Sequence, residues 1–168
     1  MRMKKPDFEA LVEQHSGELC AYLWRLTGDE ADARDCLQDT FLRAYRAYDR
    51  LQDFSNLRAW LYKIATNTAR THHARHHRRQ AEPLHDPIAS NEKAVDLQVM
   101  ERTQLAAVKQ AVMELPVRQR AALMMRKYQE LGYAEIAAAL DCSEDSARAN
   151  VYQALKKLRQ QFAEVNDG

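Results

Sequence analysis

The sequence predicts an all-α protein built as two small helical bundles joined by a flexible linker. Three observations carry this reading. Apolar residues recur at helical spacing over most of the chain, and no segment shows a strand-like alternation. Only 4 Gly and 4 Pro occur among 168 residues, so long helices are favoured over hairpins. Between the periodic stretches lies one segment, Gln80 to about Lys93, with Pro83, Pro87, Ser90 and Asn91 and little periodicity. The expected units are residues 1–79, a linker over 80–94, and residues 95–168.

The elements follow in order. Pro6-Asp7 opens a first helix with Leu11, His15, Leu19, Tyr22 and Leu26 on one face, and Gly28 is placed to end it. Asp29 is a suitable N-cap for a second helix, with Asp32 at the third position beyond it. Its apolar stripe reads Leu37, Phe41, Ala44, Tyr48 and Leu51. After a short connection at 52–56, a third helix carries Leu57, Trp60, Leu61, Ile64 and Thr68. Beyond the linker, Leu97, Leu105, Val108 and Val112 restore the helical period, which stops near Leu115-Pro116. Pro116 suits the first turn of a further helix that runs to about Tyr128.

Residues 133–160 fit a helix-turn-helix. Tyr133–Leu140 is a short helix with Ile136, Ala137 and Leu140 inward, Asp141-Cys142-Ser143 is a tight turn, and Ser143 caps the next helix. That helix has Ala147, Val151, Leu155, Leu158 and Phe162 as its core stripe. Arg148, Asn150, Gln153, Lys156 and Lys157 lie on its other face, where they suit a DNA major groove. A plain helical hairpin with a solvated charged face gives the same pattern.

Charge is distributed unevenly although the formal net charge is only +1. Residues 54–81 hold Arg58, Lys63, Arg70, Arg75, Arg78 and Arg79 and no acid, the mark of a polyanion-facing segment. Residues 82–101 hold five acids against Lys93. The three cysteines are far apart and form no CxxC pair, so a zinc or disulfide framework is not expected. His72, His73, His76 and His77 include i,i+4 pairs that suit a metal. The neighbouring Arg75, Arg78 and Arg79 repel a cation, so no metal and no cofactor are expected, and polyanion contact is the favoured role. There is no phosphate-cradling glycine loop and no nucleophile elbow, which argues against an enzyme. No apolar run is long enough to cross a bilayer, and the charged N-terminus lacks the apolar stretch of a signal peptide, so the chain is expected to stay in the cytoplasm.

Three motifs carry a resemblance to a known family. Asp32-Ala33-Arg34-Asp35-Cys36-Leu37-Gln38-Asp39-Thr40-Phe41-Leu42-Arg43-Ala44 resembles region 2.2 of extracytoplasmic-function sigma factors. Trp60-Leu61-Tyr62-Lys63-Ile64-Ala65-Thr66-Asn67-Thr68-Ala69 resembles their regions 2.3 and 2.4. Glu114-Leu115-Pro116, Arg118-Gln119-Arg120 and Tyr133-Ala134-Glu135-Ile136-Ala137 resemble region 4. The resemblance implies a transcription initiation factor. Its first domain docks on the clamp helices of the largest polymerase subunit and reads the −10 element. Its second domain reads the −35 element and touches the flap.

Residue by residue, the resemblance implies that Asp35, Gln38, Asp39, Phe41 and Arg43 bind core polymerase, Phe41 suiting the core equally well. It implies −10 contacts for Arg58, Lys63, Asn67, Arg70, Arg75 and Arg78, with Asn67 on an unstacked base and the cations on phosphates. It implies −35 contacts for Arg148, Asn150, Gln153, Lys156 and Lys157. Asn150 and Gln153 stand where many members have Arg, so the promoter sequence does not transfer from a relative. A separate anti-sigma factor, gripped between the tethered domains, is the expected regulator. The competing reading is an autonomous helix-turn-helix regulator that needs no polymerase.

Overall fold

The computed structural model describes residues 4–80 and 97–166, with side-chain surroundings outside 77, 79–80, 97–101 and 164–166. Among the described residues there are seven helices and no strand. They are α1 (Phe8–Thr27), α2 (Glu30–Tyr48), α3 (Leu57–Gln80), α4 (Leu97–Glu114), α5 (Val117–Lys127), α6 (Tyr133–Leu140) and α7 (Glu144–Asn166). Gln80, the first residue of the expected linker at 80–94, closes α3, and residues 81–94 lie outside the described residues.

The local signals form the ends they predict. Gly28 ends α1 in the left-handed region at φ 73°, its N–H donating to the Trp24 carbonyl. The Asp29 carboxylate accepts from the Asp32 backbone N–H at 3.0 Å and caps α2. Pro116 is the residue before α5 rather than its first. Gly132 is the residue before α6, and its N–H donates to the Glu135 carboxylate at 3.0 Å, the half of a capping box that a glycine allows.

One stripe moves. The buried residues of α2 are Ala33, Cys36, Thr40, Ala44 and Tyr48, with Leu37, Phe41 and Leu51 at the margin. Thr40 sits in the core because its hydroxyl donates to the Cys36 carbonyl at 2.6 Å, leaving the methyl for packing. Small residues here let α2 approach α1 and α3 closely, and the larger side chains are displaced to the rim.

The two bundles do not stand apart. A continuous apolar core runs from Leu11, Tyr22 and Leu61 in the first to Leu123, Met125, Leu131 and Ile136 in the second. α5 packs on α1, and α6 packs on α3. Gly28 lies at this junction. A Cβ there would meet the Met113 Sδ at 3.0 Å, in a backbone conformation that side chains resist. Gly28→Ala is expected to cost about 1–2 kcal/mol in a urea titration, mostly from the left-handed conformation.

Candidate polymerase and DNA surfaces

The acidic stretch of α2 forms one outward face. Asp35, Gln38, Asp39 and Arg43 are exposed, and Phe41 is half-buried against the core. Two residues missed by sequence reasoning complete this face. Leu42 is 48% exposed and Tyr45 65% exposed, with Tyr45 braced edge-on by Phe8 at 5.4 Å between ring centres. A large apolar side chain one step off the buried stripe was the available signal, since nothing inside the helix pays for exposing it.

Beneath the same face, Cys36 is buried. Burial pushes its thiol up to about 11, and Asp32, Asp39 and Asp35 add to the rise. The folded state therefore favours the neutral thiol. That stability is full below the ordinary thiol value of about 8.5 and is lost as pH climbs to about 11. At pH 8, iodoacetamide is expected to label the partly exposed Cys20 and Cys142 while sparing Cys36 until the chain unfolds. Peptide mapping of the alkylated protein checks this.

The basic helix α3 divides in two. Asn67, Arg70, Arg75 and Arg78 are exposed. Arg58, expected from the sequence to meet phosphate, is engaged by protein groups in this structure. Its guanidinium grips Glu18 on α1 with Nε at 3.1 Å and 3.2 Å and Nη2 at 3.0 Å. Nη2 also donates to the Gln129 carbonyl at 2.8 Å, and Nη1 lies 3.8 Å from Glu135. A fork of donors matched to a carboxylate and a carbonyl outcompetes solvent at this half-buried position. Hydrogen bonding to Glu18 raises the Arg58 pKa, so the charge is secure. Lys63 lies 3.8 Å from Asp141 in the helix-turn-helix turn.

The histidines have a local use. His72 Nε2 is 3.0 Å from the Asp32 carboxylate, which ties α3 to the start of α2. No group of three donors is positioned to hold a metal ion among the described residues.

In the helix-turn-helix, Asp141 turns the chain in the left-handed region at φ 56°, and the Ser143 hydroxyl accepts from the Ser146 N–H at 3.1 Å. Arg148 is exposed, 3.6 Å from both Glu144 and Asp145, and its guanidinium lies over the Tyr133 ring at 4.9 Å. Gln153, Lys156 and Lys157 are exposed. Asn150 turns aside: it is half-buried and donates to the Ser146 carbonyl at 3.0 Å. Tyr152, 60% exposed beside Gln153, stands more squarely on the outer face and was missed. α7 packs on α5 and leaves Tyr152 in solvent.

Comparison with known proteins agrees with this layout. The Sigma-70 region 2 family model matches residues 11–79, and the Sigma-70 region 4 model matches residues 105–158. RNA polymerase sigma-H factor of Pseudomonas aeruginosa is 30% identical over 169 residues, covering 94% of this chain and 86% of that protein. RNA polymerase sigma factor YlaC of Bacillus subtilis is 29% identical, covering 98% of each. In fold, the chain is similar to the sigma factor RpoE solved with the anti-sigma factor NepR from Bartonella quintana. The TM-score is 0.69 at 23% identity, over 94% of this chain and 97% of that one. CnrH, solved with the cytosolic domain of CnrY, gives a TM-score of 0.68 at 23% identity, over 94% and 88%. With both region models matched in order and a relative similar over nearly its whole length, the chain belongs to the extracytoplasmic-function group of the sigma-70 family and is an RNA polymerase sigma factor.

Proposed function

We propose that residues 1–79 and 95–168 act as the two working halves of this initiation factor, one on core polymerase and the −10 element, the other on the −35 element. The observation that carries the proposal is the pair of exposed surfaces of contrasting charge on α2 and α3 of the first bundle. Asp35, Gln38, Asp39, Leu42 and Tyr45 present an acidic and apolar face on α2, while Asn67, Arg70, Arg75 and Arg78 present a basic face on α3. The α2 face suits basic partner helices through charge-assisted bonds around an apolar centre. The α3 face suits a displaced strand, with cations on phosphates and the Asn67 amide on an unstacked base. Holding a flipped base stabilises melted DNA relative to duplex, so opening needs no ATP. Arg148, Gln153, Lys156 and Lys157 take the −35 duplex, with Tyr152 beside them.

In vitro transcription with core polymerase on a genomic library tests the function. Asn67→Ala is expected to reduce open-complex formation about tenfold and leave core affinity unchanged. Permanganate footprinting and a core-binding titration read the two separately, and equal losses in both reject the assignment. An autonomous regulator would shift duplex DNA alone and gain nothing from core. The region 2 match favours the sigma reading, since a simple repressor needs no such surface.

The proposed setting is the cytoplasm; no described helix is long and apolar enough to cross a membrane. A separate anti-sigma factor is the proposed regulator. An apolar groove of about 640 Å³ between α1, α4 and α5 is lined by Trp24, Leu105, Val108, Met124 and Tyr128, with Arg25 and Lys109 beside them. It suits an amphipathic helix with acidic flanks.

A further inference from the structure

We propose that Tyr133 is a positioning residue of the −35 surface: its ring holds Arg148 in place while leaving the arginine N–H groups for the duplex. Tyr133 itself need not touch DNA. The inference rests on the assignment of α7 to the −35 element.

Three helices meet at this ring. Tyr133 is the first residue of α6 and is half-buried against the core, which fixes its direction. From the last turn of α5, the Arg126 guanidinium lies over the ring, 4.3 Å from its centre. The same guanidinium donates through Nη1 to the Leu131 carbonyl at 3.3 Å. From the start of α7, the Arg148 guanidinium lies over the ring at 4.9 Å. Two cations thus share one aromatic side chain, although each repels the other. Attraction to the negative ring face supplies the reason for them to gather there. Arg126 ties the ring to the connection before α6, and the ring in turn holds Arg148.

The ring matters because Arg148 has competitors on its own helix. Glu144 and Asp145 each lie 3.6 Å from its guanidinium, about one turn back. A carboxylate takes up N–H donors, and those are the groups that a phosphate or a guanine edge requires. An aromatic ring attracts the cation through its quadrupole and leaves the donors free. The two acids are exposed, so their hold is weak and screened by salt, and a phosphate displaces them. The ring keeps its contact through that exchange. Arg148 therefore meets the duplex from a fixed direction, with less side-chain freedom left to lose on binding. Without the ring, the arginine settles onto Glu144 and Asp145, and DNA must both release it and orient it.

Holoenzyme assembled from core polymerase and the full chain tests this on a promoter fragment recovered from the genomic library. Affinity for that fragment is divided by affinity for a copy with a scrambled −35 element, so the ratio reads −35 recognition alone. Arg148→Ala is expected to lower the ratio about tenfold. Tyr133→Leu is expected to lower it about fivefold, the effect of losing one partly exposed cation–π contact. Tyr133→Phe keeps the ring and is expected to stay within about twofold of wild type. In an Arg148→Ala chain, Tyr133→Leu is expected to cost less than about twofold more, because its object is already gone. Thermal melting followed by circular dichroism checks that each chain is folded. If leucine unsettles the domain, Tyr133→Met fills the space without a ring and completes the same cycle. A Tyr133→Leu ratio equal to wild type overturns the proposal. So does a loss that persists in full without Arg148, or a Tyr133→Phe chain as impaired as Tyr133→Leu. An Arg148→Ala ratio equal to wild type overturns the assignment of α7 to the −35 element, and the positioning role with it.

Discussion

Arg120→Ala is expected to lose about 3–4 kcal/mol of stability, the largest effect of any single substitution in the second bundle. Arg120 is 4% exposed and has no carboxylate partner among its hydrogen bonds. Its guanidinium instead donates to four backbone carbonyls: Val112 at 3.1 Å, Met113 at 2.6 Å, Leu115 at 2.9 Å and Leu26 at 2.8 Å. The first three lie at the end of α4 and just beyond it, and the fourth at the end of α1. Met113 and Leu26 lie in last turns, whose carbonyls a helix leaves without an internal partner at the negative end of its dipole, while Val112 also accepts from the Leu115 N–H at 3.2 Å. One cation therefore closes two helix ends and joins the two bundles. Burial draws its pKa below the ordinary arginine value, which measures the cost of holding the charge there. Alanine removes the charge but leaves buried carbonyls unpaired, which outweighs the relief. Arg120→Lys keeps charge but not the fork, and is expected to recover less than half of the loss. Urea denaturation of the three chains measures both, and a loss below 1 kcal/mol for alanine would contradict the account.

The second large effect concerns core polymerase. Asp35→Lys with Asp39→Lys is expected to weaken core binding by about a hundredfold, because opposed charges are replaced by repelling ones at a desolvated contact. Both residues are exposed and outside the buried stripe of α2, so the fold is expected to keep its melting temperature within a few degrees. Tyr45→Ala removes an aromatic anchor from the same face and is expected to cost about tenfold. Fluorescence titration against core separates binding from stability. A double-lysine chain that binds core as tightly as wild type would move the interface elsewhere.

Much of the fold was readable in the chain itself. Gly28, Asp29, Gly132 and Ser143 punctuate the helices where their conformational and capping chemistry requires. The helix-turn-helix boundaries at Tyr133–Leu140 came directly from periodicity. The buried face of α2 was harder. Counting large apolar residues points to Leu37 and Phe41, whereas close helix packing selects Ala33, Cys36 and Thr40. Leu42, Tyr45 and Tyr152 escaped for the converse reason: apolar and aromatic residues default to the core in a pattern reading, and only rotation against neighbouring helices sets them outside.

Arg58 and Arg120 mark the limit. Both stand in or beside motifs visible in the sequence, and neither job is visible there. Arg58 meets Gln129 across 71 residues and Arg120 meets Leu26 across 94. The sequence by itself determined the helices, their caps, the division into two bundles and the family, because these depend on side chains within a few positions of one another. Only the tertiary structure decided that the bundles share a core, that Arg58 is engaged and Asn67 is open, and that one buried arginine holds two helix ends. Such pairings depend on which groups meet after collapse, and a cation's local sequence does not say whether it will face phosphate, carboxylate or carbonyl.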